Sequence, residues 1–182
     1  MVNIYKQELT ILQQEILRLL FIKLGKSLNQ RGIAKMLGVS PPAVMKAIPG
    51  LEKRDFVKVE QDKESKRWSI ELNRENHKVM QLKKVDNLKQ TYESGLADFL
   101  EKEFAGGTII LFGSYSKGED TMNSDVDIAV IGRKEKSVEL KIFKEKLERE
   151  IVVNFYDSFK DIHKNLKENL FNGVVIAGSV EL

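Results

Sequence analysis

The chain has no cysteine, so it can form no disulfide and no thiolate metal site. That is the composition expected of a protein kept in a reducing cytoplasm. Histidine is almost as scarce. His77 and His163 are the only two, both in charged helical stretches, which argues for surface positions rather than metal ligation. The three prolines all fall at 41, 42 and 49. No apolar run approaches the roughly 20 residues needed to span a bilayer. The opening Met1-Val-Asn-Ile-Tyr-Lys-Gln-Glu8 is too polar for a secretory signal. A disulfide scaffold, a cysteine zinc finger and a helical membrane protein are therefore excluded as readings.

What is present suits a globular protein. With 182 residues, 42% of them hydrophobic, there is material for one ordinary domain or two small ones. Charge divides unevenly. Residues 1–75 carry 14 Lys and Arg against 9 Asp and Glu, while residues 76–182 carry 16 against 18. A net +5 front half favours contact with a polyanion there, although a solvated lysine surface gives the same count.

Apolar spacing from Leu9 to Ile22 predicts a first helix over about Gln7 to Leu24. A second runs from about Asn29 to Leu37, followed by a Gly38 turn. Ser40 is a good N-cap and Pro41 suits the first helical position. Pro49-Gly50 should stop or kink the third helix. Two β-like segments follow, Phe56–Gln61 and Arg67–Leu72, joined by the polar Asp62–Lys66 loop. The segment Ile33-Ala-Lys-Met-Leu-Gly-Val-Ser-Pro-Pro-Ala-Val44, with that hairpin, resembles the winged helix-turn-helix domains of prokaryotic transcription regulators.

The resemblance implies that the third helix enters the major groove. Lys46 then meets phosphate or a base edge, and Lys53, Arg54, Lys63, Lys66 and Arg67 are DNA-phosphate contacts. Residues 41–48 lack the exposed Arg, Asn or Gln that usually reads bases. Non-specific DNA contact and a protein-contact role both stay open, and Trp68 is expected to pack within the wing.

From Arg74 to Phe104 the pattern is helical and charged. A connecting helix over Glu75–Gln90 is expected to continue or kink into a second over Thr91–Phe104. Val79, Leu82, Val85 and Leu88, at i+3 spacing, form its apolar stripe, for intrachain packing or a homodimer seam. After Gly106-Gly107 come strands over Thr108–Phe112, Asp125–Ile131 and Ile151–Tyr156. Helices are expected over Val138–Arg149 and Phe159–Phe171, then a short strand over Val174–Ala177.

The densest chemical signal is Leu111-Phe-Gly-Ser-Tyr-Ser-Lys-Gly-Glu-Asp-Thr-Met-Asn-Ser-Asp-Val-Asp-Ile-Ala-Val130. Gly113-Ser114 ends a strand, where backbone N–H groups and a hydroxyl can face a phosphate. Asp125 and Asp127, spaced i, i+2 on the next strand, share a face and can hold a divalent cation. Ten residues separate Ser114 from Asp125. This pattern resembles the signature of the DNA polymerase beta superfamily, closest to the minimal nucleotidyltransferases, from roughly Tyr92 to the C-terminus.

The resemblance implies an α+β protein, with a winged helix over 1–74, a connecting helix over 75–90, and a mixed sheet flanked by helices over 91–182. It implies Asp125 and Asp127 as catalytic and metal-binding residues, with Mg²⁺ as cofactor and Mn²⁺ as alternative. Gly113, Ser114 and Lys117 would bind an NTP, ATP first, though Lys117 fits a plain surface role equally well. Glu119 and Asp120 read as solvated loop charges. Catalytic relatives carry a third carboxylate on the strand after the intervening helix. Here the best match is Val152, or Asn154 if the register slips, with Glu150 a partial substitute. Two functions follow. One is a metal-dependent transferase passing NMP to an unknown acceptor. The other is a DNA-binding regulator or antitoxin-like protein with a degenerate transferase domain, the latter implying a small helical toxin partner.

Overall fold

A computed structural model describes residues 9–61, 63 and 68–180. The chain divides into two compact units between Val79 and Met80.

In the first unit, α1 (Ile11–Ile22) starts behind a capping box, and Gln7 lies outside the described residues. Thr10 Oγ1 accepts from the Gln13 N–H, and Gln13 Oε1 accepts from the Thr10 N–H, satisfying two orphan donors. Asn29 caps α2 (Gln30–Leu37), which ends at Gly38 with φ +67. Ser40 caps α3 (Pro41–Glu52), accepting from the Ala43 N–H at 3.3 Å. An antiparallel hairpin follows, β1 (Val57–Gln61) with β2 (Trp68–Leu72), in the register Val57↔Leu72 to Gln61↔Trp68. Ile16, Leu20, Ile33, Val44, Leu51, Phe56 and Ile70 are all buried. Each is worth about 1.5–3 kcal/mol by transfer from water. The Leu28↔Ile70 bridge joins the chain ahead of α2 to β2.

Pro49 neither stops nor visibly shortens α3, which runs on to Glu52. The lost N–H leaves only the Met45 carbonyl without its helical donor. Met45 itself is 55% exposed. Inside the turn, Gln13 Nε2 donates to the Ala47 carbonyl at 3.0 Å. A side chain at Gly50 would collide with that same amide. Trp68 is 45% exposed instead of packed.

The second unit holds a four-stranded sheet of order β5-β4-β3-β6. Its strands are β3 (Thr108–Phe112), β4 (Val126–Ile131), β5 (Ile151–Tyr156) and β6 (Val174–Ala177). β3 runs antiparallel to β4 and β6, and β4 runs parallel to β5. One face packs Ile109, Leu111, Val126, Ile128 and Val130 against Leu96, Leu100, Phe104, Phe143 and Leu147. The other packs Ile110, Phe112, Ala129 and Ile131 against Phe159, Ile162 and Leu170. The helices are α5 (Leu96–Glu103), α6 (Gly113–Lys117), α7 (Lys141–Leu147) and α8 (Lys164–Phe171). A short 3₁₀ turn at Phe159–Asp161 precedes α8, which is therefore shorter than the helix expected from Phe159.

α4 (His77–Glu93) departs from expectation in its phase. The break comes at Ser94-Gly95, where Gly95 has φ +83. Val85, taken from its spacing as inward, is 64% exposed. Of the expected stripe, Val79 is buried and Leu88 packs against the sheet core, but the rest of the buried face is polar: Lys83, Asn87, Gln90 and Thr91, with Ser94 just past the helix end. Their spacing of i, i+4, i+7, i+8 and i+11 marks one helix face as clearly as an apolar stripe does. His77 and His163 are exposed, as expected.

Restoring the missing α3 donor should stabilise the first unit. Pro49→Ala is expected to raise the unfolding free energy by about 1–3 kcal/mol, the interior-proline cost less the stiffening of the unfolded chain. Urea unfolding of the full chain, read by far-UV circular dichroism, measures it.

Candidate nucleotide site

The two-residue period of β4 decides where the motif residues go. Val126, Ile128 and Val130 enter one core, which turns Asp127 to the opposite face with Ala129 and Ile131. Register then pairs Phe112 with Asp127, at the end of β3. The next residue is Gly113, at φ +74, opening α6. A Cβ on Gly113 would strike Asp127 Oδ2 and lie 3.1 Å from its Cγ. The glycine–serine corner and the second aspartate of the motif are thus in contact.

Asp125 stands just before β4 and is exposed, while Asp127 is half-buried. A tight turn delivers them. The Ser124 N–H donates to the Thr121 carbonyl at 3.1 Å, and the Thr121 N–H donates to Ser124 Oγ at 3.0 Å. Burial first, and the Asp125 charge second, hold the Asp127 carboxyl above the usual aspartate range. A cation between the two would relieve both effects. The donor set, two hard carboxylates, fits such an ion. Among the described residues no group of three or more His, Asp or Glu side chains comes together to ligate a metal.

Phe112 gives α6 no side-chain cap, so the first N–H groups of that turn are not satisfied by a capping side chain. Ser114 and Lys117 are half-buried on the same turn. The Ser114 carbonyl accepts from the Glu119 N–H at 2.9 Å. Gly118, at φ +77, lies so close to α4 that a Cβ would fall 2.8 Å from the Lys84 nitrogen.

The third acidic position is apolar in space as well as in sequence. The parallel β4–β5 register sets Asp127 beside Val152, and Ala129 beside Asn154. Glu150, the partial substitute, pairs with Lys144 at 2.6 Å on the surface and lines the same cleft as Asp125. A cleft of about 470 Å³ opens beside Asp125, between Met122–Ser124 and α7. A second, of about 510 Å³, lies at the opposite end of the sheet around Thr108, Ile131 and Phe159, away from every motif residue.

One set of residues escaped the sequence. Asp120 is not a solvated loop charge; it is fully buried. Lys83 Nζ donates to Oδ1, Asn87 Nδ2 donates to Oδ1 at 2.7 Å, and Arg149 Nη2 donates to Oδ2 at 3.1 Å. Burial pulls the Lys83 ammonium below its ordinary value, and Asp120 opposes that shift. The polar phase of α4 was the available signal.

In the first unit, Lys46 projects from α3 beside Met45, Lys53 and Arg54 follow that helix, and all are exposed, as is Lys63. Lys66 and Arg67 lie outside the described residues.

With this geometry in place, two family models match. Residues 93–176 match the nucleotidyltransferase domain, and residues 9–68 match the MarR family. The chain therefore joins a nucleotidyltransferase-fold domain to a MarR-type winged-helix domain. Proteins with the first kind of domain generally use divalent metals. Solved structures give partial likenesses. The S. aureus MepR–DNA complex is 24% identical over 53% of this chain and 82% of that one, with a TM-score of 0.39. ZitR of Lactococcus lactis, as a cysteine-to-serine mutant, is 22% identical over 58% and 68%, with a TM-score of 0.40. No curated protein matches the chain. Among the described residues no helix is long and apolar enough to cross a membrane.

The electrostatics of Asp127 carry a stability consequence. Because its folded pKa is raised, the ionised form costs stability, fully so above that pKa, and the cost fades as pH falls toward the unfolded value of 3.8. Asp127→Asn is expected to raise the melting temperature at pH 7, and that gain should vanish near pH 4. Paired melts of variant and wild type across this range measure it.

Proposed function

We propose that this protein binds a metal–nucleoside triphosphate in its C-terminal domain and DNA through its winged helix. The observation that carries the reading is the contact between Gly113 and the Asp127 carboxylate. Asp125 and Asp127 would hold Mg²⁺, or Mn²⁺ in its place, with the cation neutralising the triphosphate charge. The Gly113 backbone, Ser114 and Lys117 would take the phosphates, with ATP the first nucleotide to test. On the DNA side, Lys46, Lys53, Arg54 and Lys63 supply cations for backbone phosphates, and Lys66 and Arg67 extend that set. A helix presenting Pro41, Pro42, Met45 and Lys46 has little with which to discriminate bases, so sequence-tolerant contact is the better fit.

Binding is favoured over transfer. An NMP transferase needs a group to take the acceptor's proton, and the strand neighbour of Asp127 is Val152. A nucleotide-responsive DNA-binding protein uses the same site without that step.

Titration calorimetry of the full chain with Mg²⁺ and ATP is expected to give a saturable heat that Asp125→Asn abolishes. A flat response with magnesium and every common triphosphate would reject the reading. Val152→Asp should tighten divalent-cation binding. On DNA, Lys53→Ala and Arg54→Ala are each expected to lower the log–log salt slope by about 1 if each neutralises one phosphate. Fluorescence anisotropy across a salt series reads that slope, and no DNA retention at low salt would remove the DNA half of the proposal.

A further inference from the structure

Within the ten residues between the two halves of the motif, one carboxylate is fully buried. Asp120 lies at the middle of that segment with no exposed surface. Its partners reach three places at once. Lys83 and Asn87 belong to α4. Asn87 Nδ2 also donates to the Tyr115 carbonyl at 2.8 Å, one residue from Ser114. Arg149 precedes Glu150, whose carbonyl accepts the Val126 N–H at 2.8 Å, between the two motif aspartates. Asp120 is thereby linked through Asn87 to the Gly113–Ser114 corner, and through Arg149 to the segment holding Asp125 and Asp127.

Stability alone does not call for such a cluster. Burying three charges is costly, and apolar side chains of similar volume do as well or better. What the ions give that apolar groups do not is direction, since each bond fixes one atom of the loop to one atom of its support.

We propose that Asp120 is the positioning residue of the phosphate loop: acting through Lys83, Asn87 and Arg149, it holds the Gly113–Ser114 corner and the Asp125–Asp127 pair at the separation a metal–triphosphate needs. The proposal rests on the nucleotide reading above. Asp120 itself touches no ligand in this scheme.

Charge and position predict opposite signs, which makes the test decisive. Asp120→Asn removes a negative charge beneath the loop. Were charge the only effect, an anionic triphosphate would bind more tightly. Were position the role, it would bind more weakly. For the full chain with Mg²⁺ and ATP we expect Asp120→Asn to weaken binding about tenfold, the scale of one lost hydrogen bond to a charged group. Amide hydrogen exchange should accelerate within 114–124 while protection in β3 and β4 is kept. Asp120→Asn leaves two buried cations and can compromise folding, so Asn87→Leu is the second variant. It keeps the ion pairs and the net charge but cuts the tie to Tyr115, and a loss of similar size is expected. Unchanged or tighter binding in a folded Asp120→Asn, or unchanged binding in Asn87→Leu, overturns the proposal. Failure of the wild type to bind any triphosphate rejects the nucleotide reading instead. Loop exchange then decides the clamp: acceleration confined to 114–124 in Asp120→Asn supports it, and unchanged exchange overturns it.

Discussion

The pairing of Phe112 with Asp127 across β3 and β4 is the constraint on which the candidate site depends. It sets Gly113 against a carboxylate, and only glycine tolerates both the positive φ and that approach. A slip of one residue would send Asp127 into the core now filled by Val126, Ile128 and Val130, and would turn those valines and isoleucine into the opposite layer. The hydrophobic alternation of β4 therefore protects the geometry of the polar site. The same alternation, carried across to β5, faces Asp127 with Val152. Core packing and the loss of an acidic neighbour are read from a single register.

Around that register the protein uses two kinds of support. The sheet is held by apolar layers on both faces, which define where strands begin and end. The segment between Ser114 and Asp125 is anchored in the core by Tyr115 and held beyond it by hydrogen bonds to Asp120, by the Thr121–Ser124 turn and by the close approach of Gly118 to α4. In the first unit, Gln13 plays a comparable part. It closes the capping box of α1 and reaches the Ala47 carbonyl of α3, beside the place where Pro49 interrupts the ladder.

Much of this was legible in the amino-acid sequence where a local rule and the tertiary outcome agree. Ser40, Gly38 and Asn29 mark helix ends through capping and left-handed backbone, which depend on near neighbours only. The strand of Ile151–Tyr156 was legible in its bounds and its phase, with Ile151, Val153 and Phe155 entering one core at period two. What was not legible depended on distant partners. The polar face of α4 is buried because Asp120, more than thirty residues on, receives it. Val85 is outward for the same reason. Pro49 is accommodated inside α3, which runs on to Glu52, and composition does not reveal that.

The central claim is that Asp125 and Asp127 act together on one cation held beside the glycine–serine corner. Carbon-13 NMR of the aspartate side-chain carboxyls, in the full chain titrated with Mg²⁺ and ATP, tests it most directly. The account predicts that the resonances of Asp125 and Asp127 move together and saturably, and that the midpoint for protonating Asp127 falls from its raised value as the ion loads. Movement of neither carboxyl, with Asp127 still titrating above the usual aspartate range at saturating nucleotide, would contradict it.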